Sequence, residues 1–381
     1  MKIVIAPDSF KGSVTAKQAA LAIERGIKTA FPEAETVLVP VADGGEGTSE
    51  NLVAATNGHL VEVQVTGPLG QSVAAQYGVL GDGVTCVIEV ASASGIDLIH
   101  PDERNPLKTT TYGTGQLIKQ ALDDGYRKFI LGLGGSATND GGVGMLQALG
   151  IEFKDQSGEE IGFGGGELGR IESINLENFD PRIRESIFLI ASDVENPLVG
   201  DNGASYVYGP QKGATEQMVE ELDRNLTHYA DLVKQHTVIR LHDLAGAGAA
   251  GGIGGAFQAF FPSETERGVD VVLEYAKLEE HIERADLVIT GEGQVDFQTA
   301  YGKTPMGVAQ VAQKKGVPTI ILAGSVGNNI ENLYPYGVIG VYSILNRPIS
   351  LDEAMENAEI LLEHAAEQVC RTYFAKSRNA H

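Results

Sequence analysis

Three short stretches set carboxylates, a lysine and hydroxyls beside glycines. They are Asp8, Ser9 and Lys11 in PDSFKGS, Asp43-Gly44-Gly45-Glu46-Gly47 in VADGGEGTS, and Glu292 with Asp296 in ITGEGQVDFQT. Each follows a short apolar run of the kind a buried strand makes. In an open parallel sheet, ligands bind beyond the carboxyl ends of the strands, so these residues are where metal-assisted or acid-base chemistry is expected. Singly, each has a plainer reading, because Asp-Gly pairs form turns and a polar residue after a strand caps a helix. Recurrence at the ends of three apolar runs favours chemistry.

A fourth stretch, RKFILGLGGSATNDGGVGM, carries Gly132-Leu133-Gly134-Gly135-Ser136-Ala137, which fits the relaxed G-x-G-x-x-A fingerprint of a dinucleotide-binding turn. That fingerprint should open a helix directly and be followed by an acid for the ribose, and Glu152 or Asp155 could serve by spacing. Instead, Ser136, Thr138, Asn139 and Asp140 stand where a plain helix start is expected. Their side chains can bond phosphate oxygens or ligate Mg²⁺, while the glycines let backbone N–H groups approach. A phosphate-binding loop is favoured over a nicotinamide site, with a glycine-rich packing turn as the plain alternative.

Other motifs can be excluded. Gly302-Lys303-Thr304 ends like a Walker A loop, but Phe297 stands where its first glycine is required. The protein-kinase tripeptides H-R-D and D-F-G are absent, as is the G-x-S-x-G elbow of common hydrolases. The histidines form no close pair that would suggest catalytic zinc. IASDVENPLVG places Asp193 and Glu195 after an apolar run, and VYGPQKGAT carries Lys212 in a turn. The glycine run AGAGAAGGIGGAF, 245–257, could wrap a ligand or permit close helix packing.

The elements that must hold these residues follow from apolar patterning. KIVIAP and TVLVPV read as strands, each followed by a helical stretch, and ADLVITGEG, VPTIILAGS and VIGVYSIL repeat that texture late in the chain. Between them, HLVEVQVTGPLGQSVAAQYGVLGDGVTCVIEV alternates polar and apolar residues like an antiparallel meander. The expected fold is α/β in two domains. One is a parallel sheet built from both chain ends, 1–60 and 285–381, and the other is an inserted α/β domain, 61–284, containing the meander. A length of 381 residues suits two cores.

The net charge of −23 makes nucleic acid an unexpected partner, and an anionic substrate must meet a placed lysine, a metal ion or oriented N–H groups. Cys86 and Cys370 stand alone, and no apolar run has the length of a signal peptide or a membrane helix, so a cytoplasmic chain is expected.

Taken together, APDSFKGS, PVADGGEGT, GLGGSATNDGGVGM, SDVENPL, YGPQKGAT, GAGAAGG and DLVITGEGQVDFQTAYGKTPMGVA resemble, in this order, the signature segments of the type I glycerate kinase family. The resemblance runs from Met1 to about Val369. It implies ATP-dependent phosphorylation of D-glycerate with Mg²⁺, with 2-phosphoglycerate favoured over 3-phosphoglycerate. It also implies that the domain built from both chain ends is Rossmann-like and that the active site lies in the cleft between the domains.

On this implication, Gly134, Gly135, Ser136, Thr138, Asn139 and Lys212 are expected at ATP. Mg²⁺ is expected on some of Asp140, Asp193, Glu292 and Asp296. Lys11 and the Gly44 and Gly45 amides, with Asp8, Ser9 and Glu46 nearby, are expected to hold glycerate, and Asp43 to position its hydroxyl, with Asp193 the rival base. Two positions depart from the family pattern: Gln294, where a basic residue is usual, and Glu195, where Asp or a similar residue is common. A kinase of another small hydroxy acid, an NAD-dependent dehydrogenase and a non-enzymatic sugar-acid sensor are the alternatives, and a homo-oligomer is left open.

Overall fold

Apolar runs at both ends of the chain form one sheet. In chain order the strands are β1 (Lys2–Ile5), β2 (Glu35–Leu38), β3 (His59–Thr66), β4 (Ser72–Val79), β5 (Thr85–Glu89), β6 (Lys128–Gly132), β7 (Glu152–Lys154), β8 (Ser173–Asn175), β9 (Ile187–Ala191), β10 (Ser263–Glu266), β11 (Leu287–Val295), β12 (Thr319–Val326) and β13 (Val338–Ser343). The computed structural model describes residues 1–42, 44–45, 47–297, 299 and 303–375. The expected site residues Asp43 and Glu46 lie outside the described residues.

The chain forms two compact units, one of Met1–Asp43, Glu50–Asn57 and Val269–His381, the other of Gly44–Ser49 and Gly58–Gly268. The first holds a five-stranded sheet, β13-β12-β11-β1-β2, with every neighbouring pair parallel. From β1 the chain crosses to β2 on one side, whereas β11, β12 and β13 run off on the other. The strand order therefore reverses between β1 and β11, the place where open parallel sheets bind ligands. Thr290 Oγ donates to the Ala6 carbonyl (2.6 Å) across that pair.

The second unit holds a mixed sheet, β10-β9-β6-β5-β4-β3. The alternating stretch does fold back on itself, with β3 and β4 antiparallel from His59↔Val79 to Thr66↔Ser72. Its last strand does more than close the meander, because β5 pairs antiparallel with β4 and parallel with β6. Phe129 and Phe188, adjacent on β6 and β9, stack at 4.8 Å in the core of this unit. A small antiparallel pair, β7-β8, was not foreseen; three-residue strands are too short to leave a periodic signal. Among the described residues, no helix is long and apolar enough to cross a membrane.

The helix Ala16–Ala30 follows β1. Thr15 caps it, its hydroxyl accepting from the Gln18 amide while the Gln18 side chain accepts from the Thr15 amide. It buries an Ala/Ile face that includes Ala19, Ile23, Gly26 and Ile27. The helix Ala358–Tyr373 packs on it so closely that a Cβ at Gly26 would stand 2.1 Å from the Glu363 carbonyl oxygen. Asn357 separates that helix from the helix Leu351–Glu356.

A mid-helix Gly→Ala change ordinarily gains roughly 0.5–1 kcal/mol. At Gly26 the new methyl group must push two helix backbones apart, and overpacking of this kind costs about 1–3 kcal/mol. Urea titration should therefore find Gly26→Ala less stable than the parent chain. Equal or greater stability would contradict this packing.

Candidate active site

In the first unit, β1 and β11 end side by side and deliver their polar residues to one rim. The Asp8 amide bonds the Gly291 carbonyl (2.8 Å), and the Asp8 carboxylate accepts from the Ser9 amide (2.6 Å) and from Thr304 Oγ (2.5 Å). Thr304 is the first residue of the helix Thr304–Lys314, and Lys303 stands just before it. Glu292 accepts from Thr299 Oγ (2.9 Å) and lies 3.9 Å from Lys303 Nζ. Asp296 accepts from Gln294 Nε2 (3.1 Å), so this glutamine holds a carboxylate by its amide.

Asp8, Ser9, Lys11, Glu292, Gln294 and Lys303 line one cavity of about 590 Å³. Apolar residues, among them Phe10, Ile344 and Met355, complete its lining. Lys303 and Thr304 were met in the sequence only as the end of a rejected Walker A match, and Thr299 was not singled out at all.

The second unit presents its own rim at the ends of β5, β6 and β9. Gly44 belongs here, although it follows β2 in the chain. With φ at +86°, it lies where an added Cβ would be 2.8 Å from Gly268 Cα and 3.2 Å from the Ala191 carbonyl oxygen, so only glycine fits. Glu89, at the end of β5, accepts from the amides of Gly47 (3.3 Å) and Ser49 (2.5 Å) and thereby fastens this segment to the strand ends. Sequence reasoning passed over Glu89, whose role shows only once the segment is placed. Asp193, just after β9, is half-exposed and has Arg267 Nε 3.8 Å from its carboxylate.

After β6 the chain does not enter a helix at once, and the next helix, Val143–Ala148, begins only beyond Gly142. Ser136 instead pairs with Gly95, the Ala137 amide bonds the Ser94 carbonyl (2.9 Å), and the Ile96 amide bonds the Gly135 carbonyl (2.9 Å). This separates the loop from a dinucleotide turn. Gly135 is exposed and Gly134 half-buried, whereas Ser136, Thr138, Asn139 and Asp140 are buried.

Asp140 accepts from Thr111 at both its amide (2.8 Å) and hydroxyl (2.8 Å), and from the amides of Gly142 (3.2 Å) and Gly144 (3.3 Å). Burial pushes this carboxyl above the usual range against the pull of those donors. Lys212, expected at ATP, is also buried. Its ammonium donates to Ser136 Oγ (2.9 Å) and to the Thr138 carbonyl (2.7 Å). Asn139 Nδ2 donates to Ser205 Oγ (2.9 Å), while Thr138 Oγ and Asn139 Oδ1 are buried and find no hydrogen-bond partner among the described residues.

The glycine run left open by its sequence packs beneath this loop. A Cβ at Gly251 would meet the Thr138 carbonyl oxygen at 2.0 Å, and the Gly251 carbonyl accepts from the Gly141 amide (3.0 Å).

The expected metal ligands thus fall into two sets, Asp140 and Asp193 in the second unit and Glu292 and Asp296 in the first. Among the described residues, no three His, Cys, Asp or Glu side chains form a group that could hold a metal ion by themselves.

Burial lowers the Lys212 pKa to about 7, opposed by the Asp140 charge. An unfolded lysine keeps its proton to about pH 10, so above pH 7 the unfolded chain binds more protons at this residue. Stability must then rise with pH through that interval. Thermal unfolding between pH 7 and 9 should show the parent chain gaining on Lys212→Met as the pH increases. A difference between the two that is independent of pH would contradict a buried lysine that titrates there.

Known proteins resemble this chain over nearly its whole length. Residues 3–374 match the glycerate kinase family. The glycerate 2-kinase of Escherichia coli (strain K12) is 50% identical over 380 residues, covering 100% of each chain, and the glycerate kinase of Bacillus subtilis (strain 168) is 50% identical over 369 residues, covering 97% of each. A crystal structure from Salmonella typhimurium LT2, described as a "putative glycerate kinase 2", matches with a TM-score of 0.89 at 46% identity and covers 99% of both chains. The chain therefore belongs to the glycerate kinase family and is a phosphotransferase that acts on an alcohol group.

Proposed function

We propose that this protein transfers the γ-phosphoryl group of ATP to a hydroxyl of D-glycerate, the C2 hydroxyl in preference to C3. The family match over residues 3–374 carries this reading. Phosphoryl transfer asks a protein for positioning and charge neutralisation more than covalent chemistry, and the strand-end rims have residues suited to both.

In this reading Lys11, exposed at the β1 end, pairs with the glycerate carboxylate, and Ser9 and Asp8 take its hydroxyls. Asp43 positions the attacking hydroxyl, with Asp193 the rival for that role. The Gly44 and Gly45 amides add donors. The turn Gly134-Gly135-Ser136, exposed at Gly135, receives phosphate oxygens on its backbone N–H groups. Thr138, Asn139 and Lys212 support that turn from within, and Asp140 anchors the loop instead of reaching a metal ion, its carboxylate being committed to protein donors.

The residues also fit Mg²⁺ in the form kinases use it. Mg²⁺ is usually held by one or two carboxylates together with substrate phosphates rather than by an all-protein cage. Glu292 and Asp296 supply such carboxylates, and Asp193 is the candidate in the second unit. When bound, the ion supplies neutralisation of phosphate charge.

A coupled ADP-release assay tests the reading across D-glycerate and a panel of other small hydroxy acids. Turnover is expected with D-glycerate. With Lys11→Met the KM for glycerate should rise about tenfold, since a charge-assisted hydrogen bond is lost. A change confined to the KM for ATP would move Lys11 to the nucleotide, and turnover only with another acid would change the substrate.

A further inference from the structure

The cavity at the β1/β11 switch is far larger than a three-carbon acid needs. Its 590 Å³ falls in the range of about 300–1,000 Å³ typical of sites for larger organic ligands. Its chemistry is divided. Lys11, Lys303, Ser9 and Ser325 contribute polar groups, while Phe10, Ile344, Leu345, Ile349, Leu351 and Met355 build an apolar wall. Glycerate, which has a polar group on every carbon, would lose hydration against that wall without gaining partners. A flat heteroaromatic ring gains from such a surface and still uses polar groups at its edge.

The wall is built in advance. Phe10 and Ile344 are each only 4% exposed and belong to the core of this unit. The loop after β1 is locked to the helix Leu351–Glu356, because Ser13 Oγ donates to the Met355 carbonyl (2.6 Å). Gly12, at φ +74°, leaves just enough room, as a Cβ there would lie 2.9 Å from Met355 Cε. Leu351, by contrast, is 73% exposed at the edge of the wall, an apolar side chain that a bound ligand can cover.

We propose that the nucleoside half of the nucleotide binds in this cavity, its purine on the Phe10–Met355 wall and its phosphates directed toward Lys11 and Lys303. The identity of the ligand rests on the kinase reading above, whereas its place rests on the size, division and position of the cavity. The strand-order reversal between β1 and β11 is where doubly wound sheets take nucleotides. Lys11 can then serve both the phosphates and the neighbouring carboxylate of the acceptor.

Methyl NMR locates the ligand without requiring turnover. The chain has five methionines, and with ¹³C-methyl labelling the Met355 signal is assigned by its loss in Met355→Leu. ADP and adenosine 5′-monophosphate should each shift the Met355 signal, and D-glycerate alone should not. A Met355 signal that stays put at saturating ADP, or that moves with D-glycerate alone, overturns the proposal.

A kinetic arm uses Ala354→Trp, which fills the cavity from a partly exposed helix position, and Leu351→Ser, which trims the exposed edge. With the fold checked by circular dichroism, Ala354→Trp should raise the KM for ATP at least about tenfold with the KM for glycerate little changed. Leu351→Ser should act in the same direction more weakly. A rise in the KM for glycerate instead would give the cavity to the acceptor. If the parent chain failed to phosphorylate glycerate, the kinase reading would fall, yet the ADP titration would still decide whether a nucleoside occupies the cavity.

Discussion

Taking a carboxylate out of water costs several kcal/mol unless protein donors replace the lost solvent. The glycine loop of the second unit is shaped by that requirement at Asp140. Thr111 reaches it with an amide and a hydroxyl, and the amides of Gly142 and Gly144 complete the shell. To aim those amides inward, the backbone takes positive φ at Gly141 and Gly142, which postpones the helix to Val143. Lys212 then ties Ser136 to the Thr138 carbonyl. The turn Gly134-Gly135-Ser136 is thus fixed from below while its glycine backbone faces outward, an arrangement suited to an anion and poorly suited to a dinucleotide turn.

The first unit solves a different problem by simpler means. Five parallel strands bring their carboxyl ends to one edge, and the reversal of order between β1 and β11 opens a gap there. Asp8 is held from both sides, by the amide of Ser9 and by the hydroxyl of Thr304 at a helix start. Glu292 is steadied by Thr299 and faces Lys303. Short polar side chains therefore orient the carboxylates, as the proposed phosphoryl transfer requires, because misplaced charge contributes little.

Much of this was legible in the sequence, for a physical reason. Fully buried parallel strands must be apolar throughout, so β1, β11 and β12 announced themselves, and the residues after them could be named as a rim. Alternation likewise revealed β3 and β4. What sequence could not provide was partnership across the chain. Glu89 looks like the end of a strand until Gly47 and Ser49 are laid over it. Gly44 follows β2 yet packs over the ends of β6 and β9, an association set by backbone contact with Ala191 and Gly132 that leaves no periodic trace. Asp140 and Lys212 read as ligands because they are charged, and nothing in the sequence signals that both are buried among protein partners. The run at 245–257 was undecidable for the converse reason, since glycines that pack and glycines that bind look alike until Gly251 is seen against Thr138.

The most direct test of the account is the product of the reaction itself. Incubation of the protein with Mg²⁺-ATP and D-glycerate, followed by proton-coupled phosphorus NMR, identifies the phosphorylated carbon by its attached hydrogens. The account predicts a new phosphate ester split into a doublet by the single proton on C2. A triplet would place the phosphate on C3 and overturn the preferred hydroxyl. A spectrum with no new ester, from folded protein, would contradict the assignment of glycerate as the acceptor.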